Sequence, residues 1–390
     1  MEKRIKTGIF GGTFNPPHLG HLCLAKQAME KLGLDKLLIM PACVPPHKEA
    51  LDLAPAKDRV AMCSLNFGFD PQVEVSSIEI ERGEKSYTVE TLAQLEGIYP
   101  DSDFYLIIGS DMLSSFTQWY RWEEILERAY VCAASREEGF TPDLGCFTEE
   151  QKKKIIFMEY EPFEVSSSEV REKIAHGESV QGLINPQTER YIMLNGLYDD
   201  RFASYRSLIN EKLDEYRLYH SLCVAKSARR LAEKYGADPD KAELAGMLHD
   251  VMKNAPREEQ LETVIKGGYQ LNACERANPK VWHAMAGEAY LRLEGITDDE
   301  EILSAVRWHT TGRAGMSLLQ KIVYTADFIS ADRVYPDVDT VRVLADESLE
   351  KAIAYTSAYT VRELVSQGKT VDVNTVDCYN DITLNLSERK

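Results

Sequence analysis

Two groups of residues in this sequence have side chains and spacings suited to phosphate chemistry. The first lies near the N-terminus, where Gly11 and Gly12 follow an apolar run and precede His18 and His21. Glycines let backbone N–H groups approach an anion closely, and the start of a helix adds unpaired N–H donors. The histidines are three residues apart, so both can face one ligand from the first helical turn. We expect a polyphosphate site here; a glycine-rich turn with two surface histidines is the alternative.

The second group lies in the C-terminal half and combines imidazole with carboxylate. Its members are His220, His249, Asp250, His283, His309 and Asp327. Each histidine lies on a different predicted helix, and burying so many polar groups on apolar helices is costly without a cation. This donor set suits Zn, Fe, Mn or Ni, and Asp250 can reach a second ion while His249 holds the first. The pattern predicts a metal site; a structural or regulatory metal-binding bundle without turnover is the competing interpretation.

The elements that would position the first group alternate between strands and helices. Strand-like runs occur at 5–10, 36–41, 73–80, 104–108, 130–134 and 154–158. This alternation predicts a doubly wound parallel sheet with right-handed crossovers. The run at 104–108 is continuously apolar, as in a strand buried on both faces, and it delivers Asp111 to the edge where ligands bind. A helix-capping aspartate is the alternative at that position.

Three other positions in this half are candidate ligand contacts. The loop 41–48 is stiffened by two prolines and presents Lys48, which could meet phosphates or simply be solvated. Thr88 is well placed as the N-cap of a helix that runs to residue 99. Trp119 offers an aromatic face that could stack on a ring, although packing is the more frequent role of tryptophan.

A serine cluster precedes the last helices of the first half. Ser166, Ser167 and Ser168 stand just before Arg171 at a predicted helix start. Their hydroxyls, the helix N–H groups and a guanidinium could surround one anion. A capping box between Ser166 and Glu169 can coexist with that role.

The sequence pattern changes near residue 199. A helix that starts at Pro186 and is followed by Gly196 closes the alternating half, and long helical periodicity follows. We therefore expect two domains, an α/β domain at 1–198 and an all-α helical bundle at 199–390.

The first half resembles a known enzyme family. Residues 8–22 are similar to the nucleotide-binding signature of adenylyltransferases with a His-x-Gly-His motif, and closest to bacterial nicotinate-nucleotide adenylyltransferases. The stretches 41–48, 107–113 with Trp119, and 165–171 resemble the same family in order, so the similarity spans roughly residues 4–197.

This resemblance implies a Rossmann-like nucleotidyltransferase that uses ATP with Mg²⁺. The phosphate of nicotinate mononucleotide would attack the α-phosphorus of ATP in line, releasing pyrophosphate. The implied catalytic residues are His18, His21 and Arg171. The implied substrate contacts are Gly11, Gly12, Thr13, Phe14, Lys48, Thr88, Gly109, Asp111, Trp119, Ser166, Ser167 and Ser168. Nicotinamide mononucleotide is the alternative substrate, and a class I aminoacyl-tRNA synthetase, which has a similar loop, is the alternative enzyme class.

The second half resembles the HD-domain phosphohydrolases over roughly residues 200–385. The ordered set His, His-Asp, His, His, Asp matches that family, and Trp308-His-Thr-Thr-Gly312 is similar to its YqeK branch. The resemblance implies two metals, with iron expected, held by the six residues of the second group with Asp250 bridging. It also implies symmetrical hydrolysis of diadenosine tetraphosphate to two ADP. Lys253, predicted on the same helix as His249 and Asp250 and one turn from them, is a candidate catalytic residue that would contact phosphate, and Arg333 is a weaker candidate. Another nucleotide substrate is the alternative.

Composition and charge bear on the binding partners and the cellular compartment of the protein. The net charge of −18 and pI near 5.0 argue against nonspecific binding to nucleic acid or anionic membranes. We expect a cytoplasmic protein, because no apolar run approaches the roughly 18 residues that span a bilayer. We also expect no signal peptide, because the N-terminus is charged and enters a strand at once. The eight cysteines form no Cys-x-x-Cys pair and are expected to be reduced. The sequence leaves open whether the chain forms a homo-oligomer and whether the two sites communicate.

Overall fold

A computed structural model describes residues 4–43, 53–68, 70–83, 85–135 and 144–388. The chain divides into two compact units, Met1–Tyr198 and Asp199–Lys390. We refer to them as the N-terminal unit and the C-terminal unit.

The N-terminal unit is built on a parallel sheet. Within the described residues its six strands are β1 (Ile5–Gly12), β2 (Lys36–Pro41), β3 (Val73–Val75), β4 (Ser102–Gly109), β5 (Ala129–Ser135) and β6 (Ile155–Glu159). They lie in the order β3-β2-β1-β4-β5-β6, and every neighbouring pair is parallel. The predicted doubly wound α/β fold is therefore confirmed.

Helices cover both faces of this sheet. The α-helices of this unit, within the described residues, are α1 (Leu19–Leu32), α2 (Ala56–Phe67), α3 (Ile78–Arg82), α4 (Thr88–Ile98), α5 (Ser110–Leu113), α6 (Trp122–Arg128), α7 (Glu149–Lys152), α8 (Ser167–Ala175) and α9 (Pro186–Asn195). Alternate residues of β4 enter opposite cores: Leu106 packs with α4 and α6, whereas Ile107 packs with α1 and α2. Burial on both faces explains why the strand sequence is continuously apolar.

One strand prediction was too long. The run 73–80 was expected to be a single strand, but β3 ends at Val75 and α3 begins at Ile78. Ser76 and Ser77 separate the two elements, and serine favours turns and helix ends because its hydroxyl bonds to nearby backbone.

The C-terminal unit is helical. Its helices are α10 (Ala203–Lys212), α11 (Glu215–Tyr235), α12 (Pro239–Leu248), α13 (Arg257–Lys266), α14 (Ala273–Ala277), α15 (Trp282–Leu293), α16 (Glu300–Trp308), α17 (Leu318–Ile329), α18 (Val338–Glu347), α19 (Leu349–Ser366) and α20 (Val373–Glu388). Helix α11 packs against α12 and α17, and α16 packs against α15 and α17. Every helix in the described part of the chain is too short or too polar to cross a bilayer.

Candidate active sites

The first candidate site lies where the strand order reverses. Strand β1 has β2 on one side and β4 on the other, so the connections that follow β1 and β4 leave the sheet in different directions. A crevice at the carboxyl ends of such strands is the usual ligand site of this architecture. Gly11 and Gly12 end β1, and Gly109 ends β4. A Cβ on Gly12 would lie 2.9 Å from the Phe14 ring, whereas no described atom lies within 4 Å of a Cβ built on Gly11.

His18 and His21 form a reciprocal cap at the start of α1. His18 is the N-cap residue, and its Nδ1 accepts the His21 backbone N–H at 3.3 Å, while His21 Nδ1 accepts the His18 N–H at 3.2 Å. Their rings stack with centroids 3.6 Å apart. Burial, followed by the charge of His18, holds the pKa of His21 well below its ordinary value. Because each Nδ1 is an acceptor, a neutral ring carries its proton on Nε2 and can donate it to a phosphate.

The loop after β1 is tied to the serine cluster. Ser167 Oγ donates to the Pro16 carbonyl at 2.8 Å, and Arg171 donates to the Asn15 carbonyl at 2.8 Å. Ser166 is the N-cap of α8, accepting the Glu169 N–H at 3.1 Å. Ser168 accepts a longer contact from Arg171, at 3.4 Å. The structure therefore brings this cluster to the histidine loop, and it gives each serine hydroxyl a protein partner.

The expected mononucleotide contacts lie around the other core of the sheet. Trp119 packs on Phe116, with ring centroids 5.3 Å apart. The rings of Tyr87 and Tyr120 lie 4.8 Å apart, which places the segment of Thr88 beside that of Trp119. The prediction that Thr88 is the N-cap of α4 was wrong, because Thr88 is the first residue of that helix. Tyr87 takes the cap position, and its side chain makes no capping hydrogen bond to the described residues.

Two further predicted substrate contacts are Asp111 and Lys48. Asp111 is exposed in the first turn of α5, where its carboxylate lies 2.3 Å from the position a Cβ on Gly109 would occupy. A side chain larger than hydrogen at Gly109 would therefore displace this carboxylate. Lys48 lies outside the described residues.

Sequence reasoning missed Arg59, which organises the backbone around the histidine loop. This side chain is fully buried on α2. Its guanidinium donates to four carbonyl oxygens, those of Thr13, Ala42, Cys43 and Ala54, at 2.7 to 3.1 Å. A planar fork of donors can span separate segments in this way, whereas a single ammonium cannot.

Replacing Arg59 by lysine is expected to loosen this loop. At least one buried carbonyl loses its donor, and each such loss costs about 1–3 kcal/mol. We expect a lower unfolding temperature for the N-terminal unit and weaker nucleotide binding there. Calorimetry and nucleotide titration check this result, with the exposed Lys57→Ala variant as control. Unchanged stability and binding in Arg59→Lys would contradict the assignment.

The second candidate site gathers all six residues of the predicted metal group. Their ligand atoms form three overlapping clusters, each within 4.8 Å: His220 with His249 and Asp250, His249 with His309 and Asp327, and Asp250 with His283 and His309. His220 is inside α11, whereas His249 and His309 lie at the C-terminal ends of α12 and α16, a correction to their predicted placement within helices.

Backbone carbonyls orient three of the histidines in the same way. In His249, His283 and His309, Nδ1 donates to the carbonyl three residues earlier, at 2.7 to 2.8 Å. This contact holds the ring proton on Nδ1 and leaves Nε2 as the ligand atom. Burial lowers the pKa of His249 and brings that of His283 to about 4, so both rings are neutral near pH 7.

The fourth histidine is oriented by a residue that sequence reasoning did not identify. Nδ1 of His220 contacts Asp332 Oδ2 at 2.8 Å, and its Nε2 faces Asp327 at 3.0 Å. A carboxylate that accepts from a ligand histidine fixes the ring and raises its basicity. Asp332 is 112 residues from His220 in sequence, so only the fold brings them together.

Asp250 lies between His249 on one side and the pair His283 and His309 on the other. Its Oδ2 lies 3.4 Å from His249 Nε2, while its Oδ1 lies 3.2 Å from His283 Nε2 and 3.5 Å from His309 Nε2. Each oxygen therefore faces a different ligand set, as a bridging carboxylate requires.

The donor set fits metal ions. Among the described residues, His249 Nε2 and Asp250 Oδ1 are buried without a hydrogen-bond partner, which is costly for polar atoms unless a cation satisfies them. His283 Nε2 and His309 Nε2 face each other at 3.2 Å, although both are acceptors. Nitrogen and carboxylate donors together suit transition metals.

Three cationic side chains surround this metal group. Arg217 donates to Asp250 Oδ2 at 2.8 Å, Arg333 contacts Asp327, and Lys253 Nζ lies 3.1 Å from His283 Nε2. The prediction that Lys253 lies on the same helix as His249 was wrong, because Lys253 lies in the turn that follows α12. Burial lowers the pKa of Lys253, and the charges of Arg217 and Arg333 also lower it. The three cationic groups therefore lie close enough to repel one another.

Replacing Asp332 by asparagine is expected to weaken metal binding about 10- to 100-fold, because the buried charge that supports His220 is lost. Metal content after dialysis against graded chelator concentrations measures this change. Asp339→Asn is the control, since Asp339 is an exposed carboxylate of the same unit. Equal metal retention in both variants would show that Asp332 does not support the site.

Comparison with known proteins separates the same two parts of the chain. The family described as cytidylyltransferase-like matches residues 9–173, and the HD domain family matches residues 217–332. The chain is 35% identical over 196 residues to a Geobacillus thermodenitrificans protein named "Probable nicotinate-nucleotide adenylyltransferase", covering 50% of this chain and 87% of that protein. It is 34% identical over 194 residues to the nicotinate-nucleotide adenylyltransferase of Bacillus subtilis, covering 50% of this chain and 98% of that protein.

The C-terminal unit is similar to a crystal structure described as a predicted HD superfamily hydrolase involved in NAD metabolism, from Clostridium acetobutylicum. That likeness has 35% identity and a TM-score of 0.46, and it covers 48% of this chain and 98% of the other. The sequence matches, with the sheet and the metal group described above, assign the two parts of the chain. The N-terminal unit belongs to the nicotinate-nucleotide adenylyltransferase family, and the chain fuses it to an HD domain.

Proposed function

We propose that the chain is a bifunctional enzyme, with an adenylyltransferase at residues 1–198 and a metal-dependent hydrolase at residues 199–390. The first activity would transfer AMP from ATP to nicotinate mononucleotide, giving nicotinate adenine dinucleotide and pyrophosphate. The second would hydrolyse a dinucleoside polyphosphate, with diadenosine tetraphosphate giving two ADP.

The paired histidines carry the first proposal. The phosphate of the mononucleotide attacks the α-phosphorus of ATP in line, so the protein needs to position the phosphates and stabilise their charge. His18 and His21 donate Nε2–H to phosphate oxygens, and Arg171 adds positive charge beside the same loop. Mg²⁺ bound with ATP would neutralise part of the triphosphate charge.

A side-by-side assay tests the proposed substrate. Nicotinate mononucleotide and nicotinamide mononucleotide are supplied separately with ATP and Mg²⁺, and the dinucleotide product is quantified. We expect the acid form to be strongly preferred. Equal rates would contradict that preference, and an absence of both products would contradict the transferase proposal.

The metal group carries the second proposal. When bound, two metal ions would activate a water molecule and stabilise charge on the phosphate oxygens. Asp250 is proposed to bridge them, with His220, His249, His283, His309 and Asp327 as the other ligands. Arg217, Lys253 and Arg333 supply positive charge for a substrate with several phosphates. Iron is the proposed metal, and Mn, Zn and Ni suit the same donors.

A substrate panel tests this second proposal. Diadenosine tetraphosphate, ATP, ADP and p-nitrophenyl phosphate are incubated with metal-loaded protein, and the products are separated by ion exchange. We expect ADP as the product of diadenosine tetraphosphate. Release of ATP with AMP would reject symmetrical cleavage, and metal binding without turnover of any compound would favour a regulatory module.

A further inference from the structure

Thr310 places a hydroxyl against two of the proposed metal ligands. Its Oγ1 lies 3.1 Å from His283 Nε2 and 2.9 Å from His309 Nε2. Both nitrogens are acceptors, since their Nδ1 atoms donate to backbone carbonyls. The single hydroxyl proton can therefore satisfy only one of them.

A cation held by both histidines would remove these acceptors. Each Nε2 lone pair would then point at the metal, and the Thr310 proton would need another partner. Lys253 Nζ lies 3.1 Å from His283 Nε2, so a second donor borders the same position. Two hydrogen-bond donors beside a metal position favour the binding of an anionic oxygen between them.

The turn that carries Thr310 is fixed by its neighbours. Thr311 is buried and its hydroxyl donates to the Gly312 carbonyl at 3.0 Å. The Gly312 N–H bonds to the Trp308 carbonyl at 2.9 Å, and the residue has a φ of 64°. A Cβ at Gly312 would lie 2.7 Å from Cys378 Sγ. Little freedom is left for the Thr310 backbone, so its hydroxyl is held at the ligand atoms.

We propose that Thr310 is a catalytic residue of the C-terminal unit, whose hydroxyl donates a hydrogen bond to a phosphate oxygen bound at the His283–His309 position. The inference deepens the proposed hydrolase and rests on it for the nature of the substrate. It differs from a supporting role, in which Thr310 would only steady the two histidines.

Three variants of the full chain distinguish these roles: Thr310→Val, Thr310→Ser and the control Thr370→Val, which changes an exposed threonine of the same unit. Metal content, the Kd of inorganic phosphate for the metal-loaded protein, and kcat with diadenosine tetraphosphate are measured for each. In Thr310→Val we expect unchanged metal content, with phosphate affinity and kcat each about 10- to 100-fold lower, the usual effect of losing one charge-assisted hydrogen bond. Thr310→Ser should recover most of both, and Thr370→Val should resemble the wild type.

Two outcomes would overturn the inference: wild-type phosphate affinity in Thr310→Val, or a loss of metal parallel to the loss of phosphate binding. The second would assign Thr310 to support of the histidines. If the wild type hydrolyses nothing yet binds phosphate in a Thr310-dependent way, the hydrolase proposal fails and the phosphate contact stands. If hydrolysis occurs but Thr310→Val leaves phosphate affinity and kcat unchanged, only the Thr310 inference fails.

Discussion

Replacing Asp250 by asparagine is expected to remove bound metal and hydrolysis together. The two carboxylate oxygens face separate histidine groups, and Oδ1 has no hydrogen-bond partner within the described part of the chain. An amide keeps the shape but loses the negative charge and one of the two oxygen donors. The activity loss should exceed the roughly 10²- to 10³-fold effect of removing one stabilising donor, because it affects both metal positions.

Metal analysis and diadenosine tetraphosphate turnover measure this effect on the same sample. Asp372→Asn is the matched control, since Asp372 is another buried aspartate of the C-terminal unit outside the metal group. The control should keep its metal and its turnover. Full metal content in Asp250→Asn would contradict the bridging role.

Replacing His18 by asparagine is expected to lower adenylyl transfer about 10²- to 10³-fold, the usual cost of losing one donor to a developing charge. Asparagine is a favourable N-cap residue, so it can replace the cap that His18 Nδ1 provides to α1. It has no group at the position of Nε2–H. The variant therefore separates the helix-capping role from the phosphate contact.

Steady-state kinetics with ATP and nicotinate mononucleotide measure this loss. His176→Asn is the control, because His176 is exposed at the end of α8, away from the crevice loop. We expect the control to keep the wild-type rate and both variants to keep the wild-type unfolding temperature. Wild-type kcat in His18→Asn would show that His18 only caps the helix.

The sequence predicted structure best where the hydrophobic pattern depends on a single strand or helix. The apolar run at 104–108 required burial on both faces, and β4 has it. The prediction failed at 73–80, where alternating polarity continues past Val75 but two serines end the strand. Periodicity shows that a helix exists; it does not show that the chain leaves α12 just before His249.

The residues that sequence reasoning missed depend on distant contacts. Arg59 lies in a helix beside Lys57 and Asp58, and nothing local distinguishes it from a surface charge. Its burial follows from four carbonyls that separate loops bring together. The orienting role of Asp332 likewise depends on tertiary packing. The six metal candidates were recognisable because their residue types are costly to bury on apolar helices without a cation.

The central claim, that one chain carries two separate catalytic sites, is tested most directly by measuring both reactions on the wild type, His18→Asn and Asp250→Asn. We expect His18→Asn to lose adenylyl transfer and keep hydrolysis of diadenosine tetraphosphate, and Asp250→Asn to show the reverse. Loss of both reactions in either correctly folded variant would contradict it, because the two activities would then share one site.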